Sequence, residues 1–124
     1  MTIEQYKEFR EDFTSIVWYK GQVTEKRKYI TTLYCWDKEG SHADAIKKAT
    51  EDHAATKAIL KEKLSKYGID YESMRAHSKA LSALMSRAKR NQQSIDKYKI
   101  APLKLRETKE RIEKEIANYK IGNK

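Results

Sequence analysis

Residues 70–99 read DYESMRAHSKALSALMSRAKRNQQSIDKYK, and the fold class can be inferred from this stretch. Its larger and apolar residues recur every three or four positions, which is the spacing of one helix face. They are Met74, His77, Leu81, Leu84, Met85, Ala88, Ile95 and Tyr98. Gln92 is the only strongly polar residue on that face. The pattern predicts an amphipathic helix over about residues 71–99, with one side packed against the rest of the protein.

The opposite face of this predicted helix is cationic. Seven Lys or Arg residues lie in residues 71–99 against two acids, Glu72 and Asp96. Serines lie between the cations, and small side chains permit close approach to phosphate groups. We therefore predict that this face binds nucleic acid through Arg75, Lys79, Arg87, Arg90 and Lys97. The alternative is a solvated helix face without a ligand.

The composition of the whole chain agrees with long amphipathic helices. The chain has 124 residues, which suits a single domain covering 1–124. Charged residues make up 36% and hydrophobic residues 39%, so the core per residue is small, and another subunit could complete it. The net charge of +9 favours phosphate polymers or anionic surfaces as partners, although it could also serve solubility alone.

The single cysteine and the N-terminal sequence bear on the compartment. Cys35 has no partner for an intramolecular disulfide, which fits a reducing compartment. The first residues, MTIEQYKEF, show no basic region followed by an apolar one, so we expect no signal peptide. No run of about 18 apolar residues occurs. We expect a cytoplasmic protein with no membrane partner.

Helix signals continue on both sides of residues 70–99. Ser41 as N-cap and Gly68 as C-terminal stop predict a helix over about 42–67. Asp70 can cap the next helix, and so short a connection makes the two helices antiparallel neighbours. Pro102 suits the start of a last helix at about 103–121.

The N-terminal third is harder to interpret. Thr2 and Gln5 form a capping box before a helix over about 3–20, which Gly21 interrupts. The segment 23–38 fits a second helix, but YITTLYCW is rich in β-branched and aromatic residues, so a strand hairpin over 22–37 is the alternative. The predicted fold is all-α: an elongated bundle of four to five amphipathic helices with the 42–67 and 71–99 hairpin as its spine.

A second basic cluster, Lys26, Arg27 and Lys28, has aromatic residues on both sides. Basic residues among aromatics can hold nucleic acid by stacking, so we add these three to the predicted binding residues. The aromatic side chains can instead fill a core. Three of them, Trp18, Tyr19 and Trp36, are predicted partner contacts.

The sequence carries no recognisable catalytic or metal-binding motif. It has no Gly-rich phosphate loop, nucleophile elbow or HExxH motif. No two of His42, His53 and His77 stand at the spacing that holds a metal on one helix. We therefore expect no enzyme activity, no metal and no cofactor.

Two functions fit these patterns. The first is non-catalytic binding of nucleic acid, in particular DNA, by helix faces that contact the phosphate backbone. The second is a small helical protein-binding module, or an inhibitor of a larger enzyme that itself processes nucleic acid. A homodimer is a further expectation, because the small core leaves apolar surface for a second copy.

Overall fold

A computed structural model describes residues 1–37 and 40–122 and contains four helices. They are α1 Ile3–Trp36, α2 Ala43–Ser65, α3 Tyr71–Ile95 and α4 Leu103–Ala117. The described residues contain no strand, which confirms the all-α prediction and excludes a hairpin over 22–37. Within residues 1–37 and 40–122 the number of helices is four, at the lower end of the predicted four to five.

The separate helices expected over 3–20 and 23–38 are wrong, because α1 continues through Gly21 as one helix of 34 residues. A glycine inside a helix costs about 1 kcal/mol relative to alanine, which packing on either side can offset. Gly21 does not have the positive φ angle that a stop would need. Lys38, where the second helix was expected to end, lies outside the described residues.

The capping predictions were correct at two helix starts and wrong at a third. Gln5 accepts from the Thr2 N–H at 2.7 Å, and Thr2 accepts from the Gln5 N–H at 3.1 Å, which confirms the capping box. Asp70 accepts from the Ser73 N–H at 2.7 Å and caps α3. Ser41 does not cap α2, because that helix begins one residue later than this role requires and has His42 at its N-cap.

The other helix ends are close to prediction, with α3 and α4 each four residues shorter than expected. Gly68, just after α2, has φ +67°, as a helix-terminating glycine should. α3 ends at Ile95 with Asp96 as its C-cap, so the chain leaves the helix several residues before Pro102. At the C-terminal end of α4, the Met1 ammonium donates to the carbonyl oxygens of Ile116 and Ala117 at 2.9 and 2.7 Å.

The described chain divides into two compact units. The first, which we call the α3–α4 unit, comprises Met1–Glu11 and the described residues from Ile69 onward. The second, which we call the α1–α2 unit, comprises Asp12–Gly68. The single domain expected from the length stays a prediction.

The α3–α4 unit packs the start of α1 with α3 and α4 around an apolar core. Its buried apolar residues are Phe9, Met74, Leu81, Leu84, Ile112 and Ile121. The two later helices run antiparallel, since His77 near the start of α3 meets Tyr119 and Asn91 near its end meets Leu105. Of the residues assigned to the apolar face of α3, only Tyr98 is exposed, because it lies beyond the helix end.

The α1–α2 unit is an antiparallel pair of helices. The Lys66 ammonium lies 2.8 Å from the Asp12 carboxylate at one end, and Lys26 lies 3.0 Å from Asp52 towards the other. Its buried residues are Ile16, Leu33, Ile46, Thr56 and Leu60. None of the helices in the described chain is both long enough and apolar enough to cross a membrane.

Candidate nucleic-acid interface

A groove in the α3–α4 unit lies between the start of α1 and α3. Its cavity volume is about 430 Å³. The lining residues are Tyr6, Phe9, Arg10, Ser78, Ser82, Met85, Ser86 and Lys89. Two of these side chains are cations and four carry hydroxyl groups, those of Tyr6 and the three serines, while none carries a carboxylate. The lining can therefore donate hydrogen bonds to an anion without placing a negative charge beside it.

The local sequence explains why the groove is open and polar. Phe9 is buried and fixes α1 against its neighbours, while its neighbour Arg10 stays exposed at the surface. The serines at positions 78, 82 and 86 repeat every four residues and therefore line one side of α3. Their side chains are too short to fill the space. The Arg10 guanidinium lies 5.9 Å from the centre of the Tyr6 ring, in a cation–π contact.

Exposed cations of α3 lie beside the groove. Arg75, Lys79 and Arg90 are all exposed. None of them, nor Lys89 in the groove, has a carboxylate within 4.0 Å in the part of the chain that the structure describes. Arg75 and Arg90 are separated by about 22 Å along the helix axis, with the serines between them. This gives a row of positive charge with hydroxyl groups along its length.

The remaining predicted residues of this face are placed differently. Arg87 lies 3.3 Å from the Glu115 carboxylate of α4, so its charge is partly neutralised within the unit. Lys97 is exposed but follows the end of α3, in the connection to α4.

The basic cluster at positions 26–28 does not form one patch. Successive residues of a helix point about 100° apart, so the three side chains leave α1 in three directions. The Lys26 ammonium binds Asp52 at 3.0 Å and donates to the Thr56 hydroxyl at 2.8 Å. Lys28 lies 3.7 Å from Glu25, and Arg27 is exposed. Lys26 thus contributes to the pairing of α1 with α2.

The predicted partner contacts separate into two kinds. Trp18 and Trp36 are 58% and 65% exposed, which contradicts the alternative that they fill a core. Tyr19 is half-buried, with its ring centre 5.4 Å from the Lys63 ammonium. Tyr29, one of the aromatic residues beside the basic cluster but not a predicted partner contact, is 54% exposed and lies on the same face of α1 as the two tryptophans.

The three histidines have separate environments. His77 shares a 2.7 Å hydrogen bond with the Tyr119 hydroxyl, and burial raises the pKa of Tyr119 above its usual value. His42 lies 3.6 Å from Asp37, and the buried Nε2 of His53 has no hydrogen-bond partner among the residues that the structure describes. Across residues 1–37 and 40–122, no group of three or more His, Cys, Asp or Glu side chains could hold a metal ion.

Sequence reasoning missed three polar residues of the groove: Arg10, Ser78 and Lys89. The angular position of Lys89 and Ser78, within about 40° of Ser82 on a helix, was a signal that could have added them to the cationic face. No such signal existed for Arg10, because nothing local shows that the start of α1 packs beside α3.

Comparisons with protein families, curated proteins and solved structures found no match to this chain.

Proposed function

We propose that this protein binds nucleic acid without catalysis, and that it contacts the phosphate backbone of DNA through α3. One observation carries the proposal: a groove with two cations, four hydroxyl groups and no carboxylate lies beside Arg75, Lys79 and Arg90, which form no ion pair with the described residues. Cations already paired within a protein have little to gain from a phosphate. Arg87 of α3 is paired with Glu115, but Arg75, Lys79 and Arg90 would give up no ion pair with the described residues on binding a phosphate.

The chemistry of the face favours the backbone over the base edges. Arginine, lysine and serine side chains are the usual donors to phosphate oxygens. Reading of bases in the major groove typically requires bidentate Arg, Asn or Gln contacts from an inserted helix. Among the groove residues, only Arg10 could form such a contact, and it already lies against Tyr6. Beside the groove, Arg75 and Arg90 could do so as well, but they lie about 22 Å apart along α3 with serines and lysines between them on that face. We therefore expect similar affinity for different DNA sequences.

The test is fluorescence anisotropy with a labelled DNA duplex over a series of salt concentrations. Each neutralised phosphate makes the logarithm of affinity fall by about 0.9 per unit of the logarithm of salt concentration. Arg90→Ala should weaken binding equally for unrelated sequences and reduce this slope by roughly one unit. Lys114→Ala, which removes an exposed lysine of α4, is the matched control and should leave the slope unchanged.

Two outcomes would contradict the proposal. Absence of binding at low salt would show that the charge serves solubility. Loss of affinity in Lys114→Ala with no loss in Arg90→Ala would place the binding face elsewhere. Before the binding experiments, the folded fraction of each variant is measured by circular dichroism.

A second candidate function is a protein-binding module, and the exposed aromatic residues of α1 favour it. Trp18, Tyr29 and Trp36 lie on one helix face over about 27 Å, the length of five turns. Tryptophan and tyrosine are enriched at the centres of protein interfaces. A partner protein or a second copy of the chain could cover them. Trp18→Ala should then abolish partner binding and leave DNA binding unchanged.

The finer features of the predicted fold belong to this proposal as well. The elongated shape and the antiparallel spine formed by segments 42–67 and 71–99 stay predictions. What supports the hairpin is the short connection that contains Gly68 and Asp70.

A further inference from the structure

The connection between α3 and α4, together with Leu103 at the start of α4, exposes apolar side chains. Tyr98 is 54%, Ile100 83% and Leu103 61% exposed. Ile100 is the most exposed of the large hydrophobic residues in the described chain. Single exposed apolar residues are ordinary on protein surfaces, but three within six positions form a patch that is characteristic of a contact surface.

Lysines alternate with these apolar residues. Lys97, Lys99 and Lys104 are exposed, and no carboxylate of the described residues lies within 4.0 Å of their ammonium groups. The nearest acid in sequence, Asp96, accepts a hydrogen bond from the Gln92 amide at 2.8 Å. A surface that covers this segment must therefore offer both apolar area and negative charge at close spacing.

The segment belongs to the same compact unit as the groove. It follows α3 directly in the chain, so Lys97 and Lys99 extend the sequence of cations that includes Lys79 and Arg90. Duplex DNA provides both required chemistries. Its phosphates alternate with stacked base pairs, and the apolar faces of these pairs become accessible when a step is unstacked.

We propose that the α3–α4 connection, with Ile100 at its centre, inserts as an apolar wedge between base pairs of duplex DNA, while its lysines hold the adjacent phosphates. This inference rests on the proposed function and adds that the bound duplex is locally unstacked. Proteins that insert Ile, Leu, Met, Phe or Pro between base steps kink the duplex, and the energy of unstacking is recovered through additional contacts. The proposed wedge also predicts a preference for duplexes with a mismatch, because a base-pair step that is already disrupted costs less energy to open.

The test uses two labelled duplexes of the same sequence, one fully paired and one with a central mismatch. Each carries 2-aminopurine, whose fluorescence rises when it unstacks. We expect the full chain to raise this fluorescence and to bind the mismatched duplex about tenfold more tightly, since part of the unstacking energy has already been spent.

Ile100→Ser should remove both effects, so that the two duplexes bind with equal affinity and the fluorescence stays unchanged. Its salt slope should remain that of the wild type, because no cation is lost. Ile3→Ser is the matched control. Ile3 is also exposed, at 63%, and belongs to the same unit but lies at the start of α1. This variant should behave like the wild type.

The failures of the two proposals are distinguishable. If no duplex is bound, the proposed function is wrong and the wedge is wrong with it. If duplexes are bound with no fluorescence change and no mismatch preference, the wedge alone is wrong. A third measurement uses vesicles that contain phosphatidylserine. If these bind the wild type but not Ile100→Ser, and the duplex stays stacked, the segment contacts an anionic membrane and the wedge is overturned.

Discussion

Asp12 shows how one residue joins two helices of the α1–α2 unit. Its carboxylate accepts hydrogen bonds from the Lys66 ammonium at 2.8 Å and from the Tyr67 hydroxyl. Partial burial by itself raises the pKa of Asp12, but these two hydrogen bonds and the charges of Lys66 and Lys63 outweigh it. The pKa of Asp12 therefore lies below its ordinary value.

This depressed pKa predicts a dependence of stability on pH. A carboxyl group with a lower pKa in the folded state stabilises the protein above its unfolded-state pKa, about 3.9, and loses this contribution as the pH falls through the folded-state value. Asp12→Asn should lower the free energy of unfolding at pH 7, and the difference from the wild type should shrink below about pH 4. Urea denaturation at several pH values measures this difference in the free energy of unfolding. A difference that is constant down to pH 2 would contradict this role.

Leu84 and Lys79 lie on opposite faces of α3 and should respond differently to truncation. Leu84 is buried, so Leu84→Ala should lower the free energy of unfolding by roughly 2–5 kcal/mol. Lys79 is exposed, and Lys79→Ala should change it by no more than about 0.5 kcal/mol. Thermal denaturation of both variants measures the contrast. Equal effects would show that the face assigned to the core is not the packed one.

Among the helices, α1 provides the clearest prediction. Gly21 lies in the middle of this helix with a negative φ angle, and a Cβ added there meets no atom within 4 Å. Gly21→Ala should therefore raise the free energy of unfolding by about 0.5–1 kcal/mol, because alanine loses less backbone entropy on folding. Chemical denaturation monitored by circular dichroism measures the change. Destabilisation instead would mean that the chain bends at this position in solution.

The same helix shows what sequence patterns could and could not predict about the elements. The three helices after position 40 were predicted to within four residues at each end, because their caps and turns, such as Asp70, Gly68 and Pro102, act through local chemistry. α1 was divided in error, because the cost of a glycine inside a helix is too small to end it when both halves are packed. The β-branched segment of α1 is also helical, because the burial of residues such as Leu33 outweighs the intrinsic strand propensity of the segment.

The sequence pattern predicted only the part of the candidate site that lies on α3. The cations of α3 could be found because helical periodicity places them on one face. Arg10 is separated from them by most of the chain, and only the packing of α1 against α3 brings it to the groove. The exposure of Ile100 could not be predicted either, because an apolar residue in a sequence is expected to be buried until the structure shows otherwise.

For the molecule as a whole, the net charge of +9 predicts opposite effects of salt on two kinds of association. Salt weakens the binding of phosphates, because the counterions released on binding return to a more concentrated solution. Two copies of this chain repel each other, and salt should strengthen their association by screening that repulsion. The Debye length falls from about 10 Å at 0.1 M salt to about 3 Å at 1 M.

If the homodimer predicted from the small core exists, its association should therefore tighten as salt is raised. The exposed face of α1 is the expected contact, so Trp36→Ala should weaken the dimer, while Lys114→Ala should strengthen it slightly by removing a like charge from each copy. Sedimentation velocity at both salt concentrations measures these effects, with DNA anisotropy performed on the same samples. A chain that stays monomeric at 1 M salt is not a dimer. Self-association that weakens with salt in parallel with DNA binding would place the contact on the charged face of α3 instead.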